Sequence, residues 1–299
     1  MSWIVSAVGV VVVVAVLRDV FHTLFHPAGE GSLSRQLMRV AWRAVGRARG
    51  RGREALFLAG PVGFLAVLAA WTTLLIVGFG LVYWPHLDTA FVVAPGLSQE
   101  GNDGFLDAVY FSATALATLG YGDLAATSAA WRLLATAQGL VGLGLLTAAV
   151  SWLISLYAAL QRRRALAGTV FAIADGDDPT TQALEALAAR VASVRTDLMQ
   201  HGALYYFHSR DVTLELAAAL PALGALADAE REGARTLRAA TDALVCAVAE
   251  DFLQLDEPSP EAAVRAWLAD HRVGDVADDL ARRVSARHRA RRCHAASVS

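Results

Sequence analysis

The chain contains no lysine, and only 18% of its 299 residues are charged. Soluble domains carry about 25% charged residues, so this composition argues against a purely soluble protein. The net charge of −2 gives no overall basic surface of the kind that attracts nucleic acid. The two cysteines, Cys246 and Cys293, both lie in the polar C-terminal half. They predict no disulfide framework and are typical of a reducing cytoplasm.

Long stretches without charge are abundant. No charged residue occurs in 55–85 or in 133–161, and each run exceeds the roughly 20 apolar residues that cross a bilayer. A third apolar run, 3–17, reaches that length only if its helix continues through 20–25. A signal peptide is the alternative for this run, but it lacks a basic start and an Ala-x-Ala cleavage site. We therefore predict three transmembrane helices, the first within 1–26.

The placement of arginine predicts the orientation of these spans. Seven arginines lie in 35–53 and three more follow the last span, whereas 85–131 contains five acidic residues and no arginine. The positive-inside rule then places 27–54 and everything after the third span in the cytoplasm. We expect the N-terminus outside and the C-terminus inside, in a bacterial plasma membrane.

Arginines recur every four residues from Arg35 to Arg47. On a helix they form one stripe, with apolar side chains mostly opposite it: Leu37, Val40, Ala41, Ala44 and Val45. We expect 27–54 to be a basic amphipathic segment that rests on anionic lipid headgroups. A voltage sensor is a weaker interpretation, because this segment is too polar and too interrupted by glycine to cross a bilayer.

The run TLGYGD, residues 118–123, lies between the second and third spans. The preceding residues, 105–117, read as a helix that is too short to cross a bilayer of about 20 residues' thickness. Such a helix must be re-entrant, and irregular backbone after it is tolerated only inside protein or beside a watery cavity. A row of backbone carbonyls in such a cavity replaces the water shell of a dehydrated cation. The pattern therefore predicts a pore.

The segment FSATALATLGYGD, residues 111–123, resembles the pore signature of potassium channels, specifically the two-helix-plus-pore-loop module of prokaryotic channels. Because one filter loop per chain cannot enclose a pore, the resemblance implies a homotetramer. It implies a pore domain over 55–161, with an outer helix at 56–84, a pore helix at 105–117, a filter at 118–122 and an inner helix at 132–160.

The resemblance also assigns the ion sites. The carbonyls of Thr118, Leu119, Gly120 and Tyr121, with the Thr118 hydroxyl, are expected to bind successive K⁺ ions. Gly120 and Gly122 are expected to provide the backbone angles that point neighbouring carbonyls the same way. K⁺ in the filter is the only bound species implied: no organic cofactor and no enzymatic site is expected.

Further residues are expected to support the filter. The ring of Tyr121 should pack against Tyr110 and Phe111, and Asp123 should lie at the outer mouth within hydrogen-bonding reach of Tyr110. Thr114 stands where some members of the family have a buried glutamate, so an acidic clamp behind the filter is missing.

Three glycines lie in the third span. Gly142 follows the filter at about the interval of the glycine hinge in the inner helix of such channels, and glycine costs about 1 kcal/mol in a helix relative to alanine. A gating hinge and close helix packing are equally good explanations for Gly142. Packing is the better explanation for Gly139 and Gly144.

Ionisable residues cluster at the cytoplasmic end of the first span. Asp19, His22 and His26 share one helical stripe with Arg18. They are candidates for pH sensing, because histidine titrates near neutrality. An interfacial anchor with snorkelling side chains is the alternative. The stretch FHTLFHPAGEGSLSR resembles an N-terminal extension found in a bacterial subgroup of these channels.

The C-terminal region, 162–299, has apolar residues at helical spacing and no Gly-x-Gly-x-x-Gly run. It predicts a cytoplasmic helical bundle rather than a nucleotide-binding domain, with an unknown ligand or partner. The predicted helices are 179–200, 203–228, 230–254 and 259–292.

The sequence thus predicts an all-α membrane protein that conducts K⁺ passively as a homotetramer. A non-selective cation channel is an alternative, against which the intact GYG run argues. A membrane-anchored sensor or scaffold with a non-conducting pore is a second alternative from another class.

Overall fold

The computed structural model describes residues 2–25, 31–47, 56–94, 104–176, 179–228, 233–256, 258–279 and 282. Two short strands, β1 (Phe91–Val93) and β2 (Leu124–Ala126), pair antiparallel. Nine α-helices of at least 12 residues carry the fold of these described residues: α1 Ser2–Phe25, α2 Ser32–Arg47, α3 Ala59–Tyr83, α4 Phe105–Leu116, α5 Ala129–Asp175, α6 Thr181–Gln200, α7 Leu216–Ala227, α8 Ala234–Asp251 and α9 Pro260–His271.

Three stretches of helix are long and apolar enough to cross a membrane: Ser2–Leu24, Ala59–Ala90 and Ala129–Asp175. The prediction of an all-α membrane protein is therefore confirmed. The third helix is longer than the predicted 132–160, since α5 continues to Asp175. Arginine, alanine and leucine after Gln161 are strong helix formers, and the next proline is Pro179.

One compact unit contains residues 1–38 and 63–155. In it, α1 packs on α3 where two glycines meet, because a Cβ built at Gly9 would lie 2.5 Å from the carbonyl oxygen of Gly78. A Cβ built at Gly80 would lie 3.2 Å from the side chain of Val109, so α3 also lies close to α4. Small residues permit such approach, which is the usual basis of helix association in a membrane.

The second compact unit contains residues 39–62 and 156–299. The apolar residues of α6 and α8 recur at helical spacing and are buried between the helices. They include Leu184, Leu187, Val191, Leu244 and Val248. The predicted helices at 179–200 and 230–254 correspond to α6 and α8.

The predicted helix at 203–228 is wrong in its first half. Residues Gly202–Tyr206 form a 3-10 turn, and the α-helix begins only at Leu216. The physical reason lies in Arg163, whose buried guanidinium donates hydrogen bonds to the carbonyls of Leu204 and Phe207. In an α-helix those carbonyls would accept from backbone N–H groups four residues later.

The predicted helix at 259–292 ends at His271. Arg272 has a left-handed backbone, with φ at 54°. The N–H groups of Arg272 and Val273 turn back to the carbonyls of Ala269 and Leu268, which closes the helix end. Residues 274–279 are helical again. Most of the remaining predicted helix lies outside the described residues, and so does Cys293.

The helix α2 buries two side chains that the predicted apolar stripe does not include. Met38 and Trp42 are buried, at 1% and 8% exposure, whereas Val40 is 60% exposed. Ala44 is exposed as well, next to Arg43. These two large apolar side chains thus pack on protein, where their burial removes apolar area from water.

Candidate ion pathway

The backbone of residues 118–122 has positive φ at alternate positions. The angles are 58° at Thr118, 55° at Gly120 and 79° at Gly122, whereas Leu119 and Tyr121 are not in the left-handed region. Alternation of left-handed and right-handed residues aligns successive peptide groups, with N–H groups on one side and carbonyls on the other. A backbone of this kind can present a row of carbonyl oxygens to a cation.

Thr118 is the unexpected member of this alternation. A β-branched residue with positive φ is a genuine outlier, and strained backbone clusters at functional sites. The turn is secured by two hydrogen bonds to the end of α4: Thr118 N–H donates to Ala115 O at 3.1 Å, and Leu119 N–H donates to Thr114 O at 2.8 Å. The sequence predicts unusual angles only for the glycines, so it misses the strain at Thr118.

The outer end of this loop is fixed by Asp123. Tyr110 Oη donates a hydrogen bond to Asp123 Oδ2 at 2.6 Å. The N–H of Ala94 donates to the carbonyl of Asp123 at 2.8 Å, and the strand pair then continues with Phe91 opposite Ala126. The two strands were not predicted, because three-residue strands are too short to show a period.

A buried polar network lies behind the loop. Gln138 of α5 is fully buried, and its Nε2 donates to the carbonyl of Ser112 at 2.9 Å and to its Oγ at 2.8 Å. Tyr83 Oη donates to Gln138 Oε1 at 2.9 Å, and Ser112 Oγ donates to Ile76 O at 2.7 Å. The network joins α3, α4 and α5. A lone glutamine amid the apolar residues of a membrane span is the signal that could have revealed it.

The loop is exposed along one side in the single chain, where Leu119 is 56% exposed and Tyr121 67%. The predicted packing of Tyr121 on Tyr110 and Phe111 is not present: among the described residues, the Tyr121 ring has no ring contact within the chain. An open cleft runs beside the loop. Its lining includes Thr114, Thr118, Gly120, Ala135, Gly139 and Leu143.

The glycines of α5 differ in their surroundings. A Cβ built at Gly142 would overlap the carbonyl oxygen of Leu116, at the end of α4. At Gly139 it would lie 3.3 Å from the carbonyl of Ala115, and at Gly144 nothing lies within 4 Å. The structure therefore supplies a packing reason for glycine at 142, while a hinge at Gly142 stays a prediction.

The candidate pH-sensing residues separate. Asp19 is buried, and its carboxylate binds the start of α2. Its Oδ2 accepts hydrogen bonds from Ser34 Oγ at 2.6 Å and from Trp71 Nε1 at 3.0 Å. Its Oδ1 accepts one from the backbone N–H of Leu33 at 2.9 Å. A carboxylate so placed caps a helix N-terminus. His22 is half-buried beside Phe21, and His26 lies outside the described residues. pH sensing at these residues stays a prediction.

A short re-entrant-type helix, a following loop with alternating φ and two flanking spans together define the pore module of an ion channel. Residues 62–159 match the family model described as "Ion channel". This part of the chain therefore carries an ion-channel domain, and the described residues include three candidate membrane spans.

One relative is the "Uncharacterized membrane protein YdjJ" of Bacillus subtilis (strain 168), which is 28% identical over 162 residues. The alignment covers 53% of this chain and 45% of that protein, so the chain spans less than half of its relative's length. No solved structure matches the chain significantly.

Proposed function

We propose that four copies of this chain form a potassium-selective channel in the plasma membrane, with the TLGYGD loop as its filter. The observation that carries the proposal is the alternating positive φ at Thr118, Gly120 and Gly122. A backbone of this kind offers a cation a row of carbonyl oxygens, so the ion is bound by the backbone and not by particular side chains.

In this proposal the carbonyls of Thr118, Leu119, Gly120 and Tyr121 replace the water shell of K⁺. The transported ion is cargo, and no organic cofactor takes part. Leu119 in place of a β-branched residue changes little, because its carbonyl makes the contact. The carbonyl end of α4 also carries the negative end of its dipole, which favours a cation beside it.

Four-fold assembly explains the exposed side of the loop. A loop that is more than half exposed at Leu119 and Tyr121 needs neighbours to enclose an ion path. In a cyclic homotetramer the cleft of each chain faces the next chain, and Tyr121 gains its packing partner there. The same assembly covers the apolar side of α5, where Leu140, Leu143 and Leu146 are more than half exposed.

The orientation proposed is the one from arginine placement, with the N-terminus outside and the C-terminal region cytoplasmic. The outer mouth with Asp123 then faces the cell exterior. Arg43 and Arg47 are exposed on α2, and contact of this stripe with anionic lipid is part of the proposal.

Reconstitution tests the proposal. The purified chain is cross-linked to count its copies, and K⁺ and Na⁺ uptake into liposomes is measured on the same preparation. A tetramer with uptake of K⁺ but not Na⁺ is expected. Equal uptake of both ions would indicate a non-selective channel, and a folded tetramer with no uptake would favour a membrane-anchored sensor or scaffold.

A further inference from the structure

A fully buried cluster of two histidines and one glutamate lies in the second compact unit, residues 39–62 and 156–299, which is called the helical unit below. His208 Nδ1 lies 3.3 Å from one carboxylate oxygen of Glu215, and His271 Nδ1 lies 3.4 Å from the other. The two imidazole rings are themselves in contact, with centroids 4.4 Å apart. Side-chain exposure of all three residues is 1% or less.

Trp42 of α2 covers both imidazoles. Its ring is stacked on His208, with centroids 5.1 Å apart and planes at 14°, and lies 5.4 Å from the ring of His271. Trp42 Nε1 donates to Asp270 Oδ1 at 3.2 Å. Arg272 adds a hydrogen bond of 2.6 Å to the carbonyl of Gly46. The 39–47 part of α2 is therefore held on the helical unit by this indole, by the Arg272 hydrogen bond and by a hydrogen bond from Arg39 to the carbonyl of Asp251.

The hydrogen bonds decide how the cluster is protonated. Trp267 Nε1 donates to His271 Nε2 at 3.1 Å, so this nitrogen carries no proton. The neutral ring must then carry its proton on Nδ1, which faces Glu215. A metal ion on Nδ1 would instead need a protonated Nε2, and that nitrogen faces the indole N–H. The arrangement thus suits a proton better than a metal.

The contacts to the imidazoles are weak for buried groups. His208 Nδ1 and Nε2 and His271 Nδ1 have no hydrogen bond of normal geometry among the described residues. Glu215 is better held, since its Oε2 accepts from Ser209 N at 2.9 Å. Buried polar groups with poor partners lower the cost of opening the site.

The charges around the cluster make a further positive charge there unfavourable. The titratable groups beside the cluster are Arg163 of α5, Tyr205 of the 3-10 turn and Asp270 of α9, and Arg164 lies next to Arg163. Glu215 offers the cluster one negative charge, which already faces the buried guanidinium of Arg163. A proton on one imidazole therefore leaves a net buried positive charge, and protons on both place two positive rings in contact.

We propose that His208, Glu215 and His271 form a cytoplasmic proton-binding site, and that its protonation releases the Trp42 end of α2 from the helical unit. This site is separate from the pH sensing predicted for Asp19, His22 and His26. This inference concerns the helical unit alone and does not depend on ion selectivity.

The direction of the expected pH effect on α2 follows from the lowered pKa of His271. Burial, followed by the charge of His208, lowers the pKa of His271 to about 4 from an ordinary 6.5. A group with a lowered pKa supports the docked state above its ordinary pKa, and this support is lost as the pH falls toward the lowered value. If release restores the ordinary pKa, the ratio of docked to released helix falls about tenfold between about pH 7.5 and pH 5.5.

Hydrogen exchange on the full-length protein tests the proposal. A free helix of 16 residues is marginal in water, so a released α2 loses its amide protection. Peptides covering 39–47 are followed at about pH 7.5 and pH 5.5, with rates corrected for the intrinsic chemistry of exchange. We expect protection in α2 to fall about tenfold at the lower pH, with no comparable change in α4.

Asparagine in place of both His208 and His271 keeps an amide donor near each Nδ1 position but does not titrate. The double variant His208→Asn, His271→Asn should therefore show no pH effect on the protection of α2. His201→Asn, a half-buried histidine outside the cluster, is the matched control and should keep it. If the double variant folds poorly, Trp42→Leu tests the proposal instead. Without the indole, the amides of α2 should show low protection at both pH values.

Three results would overturn the proposal. The first is unchanged protection of α2 in the parent protein across this pH range. The second is a pH effect that persists in the double histidine variant or in Trp42→Leu. The third is a loss of α2 protection at constant pH when a chelator is added. The last result would show that the cluster holds a metal.

Discussion

Tyr83 Oη donates a hydrogen bond to the buried amide of Gln138 at 2.9 Å, which ties the outer helix to the inner helix directly behind the pore helix. The same amide donates to Ser112, so one side chain connects three helices. In a chain without an acidic clamp at Thr114, this amide is a buried polar contact that helps to hold the pore helix in place. It also gives the first prediction.

Gln138→Leu should lower the free energy of unfolding by about 1–3 kcal/mol, because Tyr83 Oη then loses its acceptor in a buried site. Tyr83→Phe should cost less alone, and should add little in the Gln138→Leu background, since the two side chains act as a pair. Thermal unfolding in detergent measures both. Thr136→Val is the matched control, because Thr136 is exposed and bonds only within its own helix.

Gly142→Ala should destabilise the protein by about 1–3 kcal/mol, since the added methyl group overlaps the Leu116 carbonyl. Gly144→Ala has free space and should gain up to about 1 kcal/mol from helix propensity. Unfolding and single-channel open probability are measured on both. A Gly142→Ala protein of parental stability with reduced opening would contradict the packing explanation and support the hinge.

Gly120→Ala tests the filter backbone. Alanine at φ of 55° costs about 1–2 kcal/mol in each chain, and four such residues meet in the proposed pore. We expect K⁺ flux to be lost while the protein stays folded and tetrameric. Normal K⁺ flux in this variant, with the parental preference over Na⁺, would show that the loop does not select the ion.

The proposed orientation is tested by cysteine labelling, on a background in which Cys246 and Cys293 are replaced by serine. Ser2→Cys and Val92→Cys should both react with an impermeant reagent added outside, since both positions are exposed and the proposed orientation places both on the extracellular side. Arg43→Cys should react only after permeabilisation. Labelling of Ser2→Cys only after permeabilisation would place the N-terminus inside.

Hydropathy and one motif were sufficient to predict the three spans, the short helix before the loop and the special backbone at Gly120 and Gly122. These features depend on local composition and on spacing along the chain. The Gln138 network could not be predicted in the same way, because it depends on the rotation of three helices about their axes.

The helical unit was harder to predict for a related reason. The break in the expected helix at 203–228 is caused by Arg163, about 40 residues earlier, which takes two of its carbonyls. The local pattern around Trp42 predicts only a basic amphipathic segment, whereas its partners His208 and His271 come from far along the chain. Long-range side-chain contacts of this kind override local pattern.

The reversal potential of the reconstituted protein, with K⁺ on one side of the bilayer and an equal concentration of Na⁺ on the other, tests the central claim most directly. A K⁺-selective filter predicts a strongly displaced reversal potential, of the sign that corresponds to K⁺ leaving the K⁺ side. A reversal potential near zero in the presence of channel current would contradict the account, because the loop would then admit both ions equally.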